Sequence, residues 1–281
     1  MSLLHPAWKN HQGLTLIELM IALVISVGLV LAVTKIFIQA KKTYQVQHAL
    51  SDVTSNASYA NYVLEKLVRV TGYRKLPTDS PYAEYEDLFP CGIIGGTNHD
   101  AIPLCKDYEA GDNGTNGLAN DTMLIYFQAD TDLKQCDNTA LPADAIANGH
   151  IIFYQLTVLN NKLRCLTYDV TDSAPIGSEV TLLDNVVSFQ VLYGLGNNEK
   201  QTERYVPISF PSLASPESRN QIMSVRIGLL LQSSQKNIKR YSEPPESIDI
   251  LDTARTYPSE NRMYVLINNT IKMRNNFNSA E

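Results

Sequence analysis

The sequence predicts an α+β protein: one long N-terminal helix followed by an antiparallel β-sheet with long loops. Three observations predict it. Residues 13–34 read GLTLIELMIALVISVGLVLAVT, an apolar run long enough to cross a bilayer. Apolar residues then recur at three-to-four spacing as far as about residue 72. Beyond residue 120 the pattern changes to short runs of Val, Ile, Leu and Tyr, punctuated by Gly, Asn, Asp and Pro.

Residues 1–13 form a leader, MSLLHPAWKNHQG, with no apolar core of its own. A secretory signal places its apolar core ahead of the cleavage site. Here the small residue, Gly13, comes first, so a cut there leaves the apolar run on the mature chain. One acid, Glu18, interrupts that run. A carboxylate at the bilayer centre costs roughly 3 kcal/mol or more, so a partner is expected for it. Plainer readings exist: Thr15-Leu16-Ile17-Glu18 fits a capping box at a helix start. The segment also fits an uncleaved signal anchor with Glu18 at the interface. Lys9 favours a cytoplasmic N-terminus, whereas Lys35, Lys41 and Lys42 oppose it, so basic residues alone do not orient the span.

Residues 14–34 are the membrane-spanning half of the predicted helix, and residues 35–72 its amphipathic half. In the latter, Val46, Leu50, Val53, Ala57, Ala60, Leu64, Leu67 and Val68 form a stripe suited to packing on a sheet. Gly72 is the expected stop. A helix over 14–71 would be about 85 Å long at 1.5 Å per residue. Gly28 weakens its first half locally, and no proline interrupts it.

Residues 73–120 are rich in Pro, Gly, Asn and Asp and read as a loop-dominated insertion. The sheet domain is expected over 121–281, with strands at 122–128, 151–158, 163–168, 179–183, 186–193, 223–231 and 263–271. Asn160-Asn161 reads as a tight hairpin turn between two of these. Segments 196–219 and 236–261, the latter carrying Pro244-Pro245, read as surface loops.

Composition supports an exported globular domain. The 281 residues are 44% hydrophobic, enough for a substantial core. A net charge of −6 gives no bulk basic field, so nucleic acid is not directly indicated as a partner. Lys236, Lys239 and Arg240 read as a solvated face. Catalytic motifs are missing from the sequence: there is no G-x-S-x-G, no H-E-x-x-H and no phosphate-binding glycine loop. The reading is therefore not an enzyme, with no catalytic residue, no cofactor and no metal site.

Four cysteines, Cys91, Cys105, Cys136 and Cys165, all follow the apolar segment. An even count in an exported domain favours disulfides. Three connectivities are open. Cys91–Cys105, closing a short loop, with Cys136–Cys165, tying a loop to a strand, is the favoured one. No two cysteines have zinc-ligand spacing, and His99 and His150 show no ligand pattern. Asp112 to Gly117, with Asp107 and Asp121, could offer oxygens to calcium, but turn chemistry accounts for the Asn-Gly pairs.

The glycine, the large apolar residue after it, Thr15, two further apolar residues and then Glu18 closely resemble the class III signal of type IV prepilins. That resemblance implies cleavage between Gly13 and Leu14 by a membrane-embedded prepilin peptidase, and N-methylation of Leu14. Phe is usual at the first mature position, where Leu14 stands here. Glu18 then becomes the fifth mature residue, paired with the new N-terminal amine of a neighbouring subunit. The implied fold is the pilin lollipop, a long helix carrying a sheet domain.

Three downstream segments narrow the resemblance: LLDNVVSFQVLYG at 182–194, SVRIGLLLQSS at 224–234 and MYVLINNTIKMRN at 263–275. With the helix-ending Thr71-Gly72-Tyr73, they resemble the PilW-type minor pilins. The resemblance implies a minor pilin of a type IV pilus, first in the bacterial inner membrane with a periplasmic domain, then in the pilus fibre. It would sit at the tip, prime assembly and support motility, adhesion or DNA uptake. The implied partners are other minor pilins, the major pilin, the peptidase, the inner-membrane assembly platform and a tip adhesin. Alternatives are a J-type pseudopilin of type II secretion and, from another class, a signal-anchored exported enzyme.

Overall fold

The computed structural model describes residues 15–73, 75, 120–196, 201–207, 222–236, 247–256 and 261–273. The chain divides into two compact units, residues 1–48 and 49–281, taken separately below. Helix α1, Leu16–Val68, contributes to both. Its 53 residues correspond to about 80 Å of helix at 1.5 Å per residue.

In the first unit the stretch of α1 from Leu19 to Val33 is apolar on every side. The most apolar 18-residue window of the helix has a mean hydropathy of 2.8, and Leu16, Ile25, Leu31 and Phe37 are all exposed. A helix without a polar face has no water-facing side to offer, which is the signature of a bilayer or a helix bundle. Two of its hydroxyls are satisfied within the helix: Ser26 Oγ donates to Leu23 O at 2.9 Å and Thr34 Oγ1 to Val30 O at 2.7 Å.

In the second unit α1 buries Ala49, Val53, Ala60, Leu64, Leu67 and Val68. This corrects the expected stripe at one end. Ala49 is fully buried while Leu50 is 47% exposed, because four residues before Val53 lies nearer the stripe's centre than three. The helix ends at Val68, earlier than expected, and unwinds through a turn to Gly72 at φ +71°. Glycine adopts this left-handed conformation without the steric cost that a Cβ would bring. Gly72 N–H then donates to Tyr126 O (2.8 Å), and Tyr73 O accepts from Gln128 N–H (2.8 Å). The chain thereby lies along one strand edge as it leaves the helix.

The remaining elements are β1 (Met123–Gln128), α2 (Ala143–Asn148), β2 (Ile151–Leu159), β3 (Lys162–Asp169), β4 (Ala174–Asp184), β5 (Val186–Gly196), β6 (Thr202–Val206), β7 (Ile222–Gln232), β8 (Ser247–Ile250), β9 (Thr253–Thr256) and β10 (Tyr264–Lys272). All pairings are antiparallel. Among the described residues they form two four-stranded sheets, β1-β2-β3-β4 and β10-β7-β5-β6, plus the ribbon β8-β9, where one sheet was expected. The division falls beside β5. There Asp121 N–H donates to Phe189 O (3.0 Å), while the side chains of Asn120 and Asp121 accept from Phe189 N–H (2.9 Å) and Val191 N–H (2.7 Å). Carboxylate and amide oxygens satisfy donors that a continuing strand would have taken.

Asn160 and Asn161, at φ +54° and +58°, make the β2–β3 hairpin turn expected from sequence. Strand β5 is buried along nearly its whole length. Phe189 and Val191 join the core that holds Leu64 of α1 and Phe127 of β1. Val187, on the other face, packs with Leu230 and with Ile250 of the ribbon. Segments 196–219 and 236–261 are therefore not wholly loop, since they contain β6, β8 and β9.

Candidate functional site

The N-terminal site begins at the first turn of α1. Thr15 opens the helix: its carbonyl accepts from Leu19 N–H (3.2 Å), and its Oγ1 accepts from Glu18 N–H at 3.4 Å. The capping contact is thus present and leaves the Glu18 carboxylate uncommitted. Among the described residues, none forms an ion pair with it. Gly13 and Leu14, the expected cleavage position, lie outside the described residues. The chemistry available at Glu18 is that of one anion in the apolar run that opens α1, a feature that discriminates sharply for a single cationic partner.

The second unit carries the cysteines. Cys136 and Cys165 are joined by a disulfide with Cα atoms 5.9 Å apart and a sequence separation of 29. It ties the turn-rich segment after β1 to β3. Cys136 N–H also donates to Thr167 Oγ1 (3.0 Å), and Lys66 Nζ of α1 donates to Asn138 Oδ1 (3.1 Å). Cys91 and Cys105 lie outside the described residues, as do the acids expected near calcium at 107 and 112. Asp121 is committed to the backbone of β5.

Sequence reasoning missed one cluster. His150, just ahead of β2, is buried, with its Nδ1 2.8 Å from Asp169 Oδ2 and 3.7 Å from Asp172 Oδ2. Asp144 completes a group in which one donor atom each of Asp144, His150 and Asp172 lie within 4.8 Å of one another. The hydrogen bond to Asp169 raises the His150 pKa, burial opposes that, and the charges of Asp169, Asp172 and Asp144 add to it. Asp169 in turn accepts from the backbone N–H of Thr171 and Asp172. The arrangement locks the β3–β4 turn onto the start of β2, and we read it as a structural charge cluster. The signal lay in the hairpin: counting outward from Asn160-Asn161 pairs Ile152 with Asp169 and so brings His150 beside it.

The cluster gives a signed pH prediction. A histidine whose folded pKa is raised stabilises the fold fully below its unfolded value of about 6.5. That contribution is lost as pH rises through the folded value, which is higher. The domain should therefore lose stability between mildly acidic and mildly alkaline pH. Urea midpoints of His150→Phe should lack this fall. An equal fall in both proteins would show that His150 is not its source.

Comparisons with known proteins agree with this geometry. Residues 8–33 match the prokaryotic N-terminal methylation motif, which covers the leader and the first turns of α1. Residues 152–275 match the family described as type IV pilus-assembly protein W, from β2 to just past β10. No curated protein matches the chain. Among solved structures, a type IV-like pilin from Thermus thermophilus aligns over 79% of this chain and 97% of its own, at 14% identity and a TM-score of 0.42.

A methylation-type N-terminus on a long apolar helix, followed by antiparallel sheets, defines a type IV pilin-like protein. Within that class, residues 152–275 are similar to the PilW family. The N-terminal signal and the apolar helix fit anchoring in a membrane, and the class implies prepilin-peptidase processing and pilus components as partners.

Proposed function

We propose that the protein is a minor pilin of a type IV pilus that primes filament assembly, with a structural rather than catalytic role. The observation that carries this is the coincidence of the methylation motif over 8–33 with an apolar helix bearing Glu18 in its first turn. In this reading the precursor sits in the inner membrane with its second unit in the periplasm. The peptidase cuts between Gly13 and Leu14 and methylates Leu14. The chain then leaves the bilayer and joins other minor pilins and the major pilin at the filament tip. Glu18, which forms no ion pair among the described residues, takes the N-terminal amine of a neighbour as counter-ion. A buried carboxylate without such a partner would oppose assembly by several kcal/mol. Motility, adhesion and DNA uptake are the activities such a filament serves, through a tip adhesin and the assembly platform.

The test is mass spectrometry of the protein from cells with and without prepilin peptidase. The expected result is a chain beginning at methylated Leu14 in the first strain and intact precursor in the second. Intact precursor in both would remove the premise.

A further inference from the structure

Lys35, Lys41 and Lys42 stand just beyond the apolar run of α1, against the tendency of basic residues to stay on the cytoplasmic side of a span. All three are exposed, as are Phe37, Ile38 and Tyr44 beside them. The sequence holds no acid from residue 19 to residue 51, so this stretch of helix offers the lysines no counter-charge of its own.

Their depth follows from the helical rise. At 1.5 Å per residue, Lys35 lies about 28 Å beyond Leu16, Lys41 about 38 Å and Tyr44 about 42 Å. A bilayer is about 40–45 Å thick with its headgroups, of which about 30 Å is hydrocarbon. With the first turn of α1 in the headgroups of one face, Lys41, Lys42 and Tyr44 fall in the headgroups of the other. Lys35 lies just inside the hydrocarbon and reaches the same level by extending its side chain away from the bilayer centre. At 3.6 residues per turn, Lys41 and Lys42 stand about 240° and 340° round the axis from Lys35, and Tyr44 about 180°. The groups encircle the helix instead of lining one face. A protein partner covers one face of a helix, whereas lipid surrounds it. A second copy inserted the same way would bring its own lysines to the same level, where like charges repel.

We propose that Lys35, Lys41, Lys42 and Tyr44 form a girdle that binds the headgroups of anionic phospholipids in the periplasmic leaflet. The three ammonium groups take the phosphate charge, and the Tyr44 ring sits at the headgroup level. Phe37 and Ile38 lie between them, against the outermost acyl carbons. This rests on the reading of α1 as a membrane anchor. It adds to that reading the class of lipid that holds the chain and the depth at which the helix is fixed before assembly.

Native mass spectrometry of the full-length chain, released from nanodiscs of equal parts phosphatidylglycerol and phosphatidylcholine, tests it. The wild type should retain phosphatidylglycerol in preference. The triple variant Lys35→Gln, Lys41→Gln, Lys42→Gln keeps good helix formers and should lose that preference, by about fivefold for each lysine at low salt. Lys35→Arg, Lys41→Arg, Lys42→Arg should keep it, and Lys162→Gln, in the second unit, should leave it unchanged. Equal retention of the two lipids by the wild type, or a preference that survives the triple Gln variant, would overturn the girdle and leave the membrane anchor standing. Loss of the preference in the triple Arg variant would overturn it too, since charge would not be its basis. Dimers crosslinked through these lysines, with no lipid retained, would assign the lysines to a second copy and overturn it. A chain that stays out of cell membranes and nanodiscs alike would overturn the anchor, and the girdle with it.

Discussion

Glu18→Ala is expected to be cut and methylated like the wild type, and to be nearly lost from filaments. The reasoning starts in the first turn of α1. The helix start is held by the backbone and hydroxyl of Thr15, which the substitution leaves in place, and Ala is the best helix former. The apolar span is unchanged, so insertion should be unaffected or slightly improved. What disappears is the single anion of the exposed apolar run at the start of α1. In a filament the neighbour's new N-terminal amine would then be a buried cation with no counter-ion. Breaking one side of a buried charge pair costs about 3–5 kcal/mol, enough to reduce incorporation by two orders of magnitude or more. Glu18→Gln should behave the same way, since it keeps the shape and loses the charge. The measurement is the amount of the chain in sheared pili against the amount in membranes, with the N-terminus checked by mass spectrometry. Equal partitioning of wild type and Glu18→Ala would show that the carboxylate has no role in assembly.

Much of this organisation was legible from periodicity, and the exceptions have physical causes. The long helix and strands β2, β3, β5, β7 and β10 stood out because each buries a regular face or both faces. Strands β6 (TERYV) and β9 (TART) did not, because few of their side chains are buried and most of their letters are polar. Ribbon β8-β9 is defined by Ile250 covering Val187 and Leu230, a long-range contact with no local pattern. The division into two sheets depends on the side chains of Asn120 and Asp121 replacing a strand, which no propensity scale encodes.

Gly194, at the end of the PilW-like segment 182–194, also makes sense only in three dimensions. A Cβ on Gly194 would collide with Ser224, Thr202 and Tyr205 from the two flanking strands. Of the candidate site, Glu18 was visible because an acid in an apolar run is conspicuous. The His150 cluster was not, since its carboxylates come from α2, the end of β3 and the following turn.

Removing the Cys136–Cys165 bridge is expected to have the largest effect on the stability of the second unit. A crosslink at a sequence separation of 29 restricts the unfolded chain by about 3–4 kcal/mol in the loop-entropy account. The native state also gains from what the bridge positions. It sets Cys136 N–H against Thr167, Lys134 O against the Tyr154 hydroxyl, and Asn138 against Lys66. Tyr154 is buried, and that burial raises its pKa, so its hydroxyl depends on the Lys134 carbonyl rather than on water. The double variant Cys136→Ala, Cys165→Ala is the right probe. Cys165 is fully buried, and serine there would add an unsatisfied hydroxyl to the cost of the lost bond. In a domain of this size 3–4 kcal/mol corresponds to a fall in Tm of about 10 °C. Hydrogen exchange should show the loss first in residues 129–142 and in β3, with the β5–β7–β10 ladder last to open. A fall of only a degree or two would mean that the hydrogen bonds to Thr167, Tyr154 and Lys66 hold the segment without the bridge. The disulfide would then be a consequence of the fold in an oxidising compartment rather than a source of its stability.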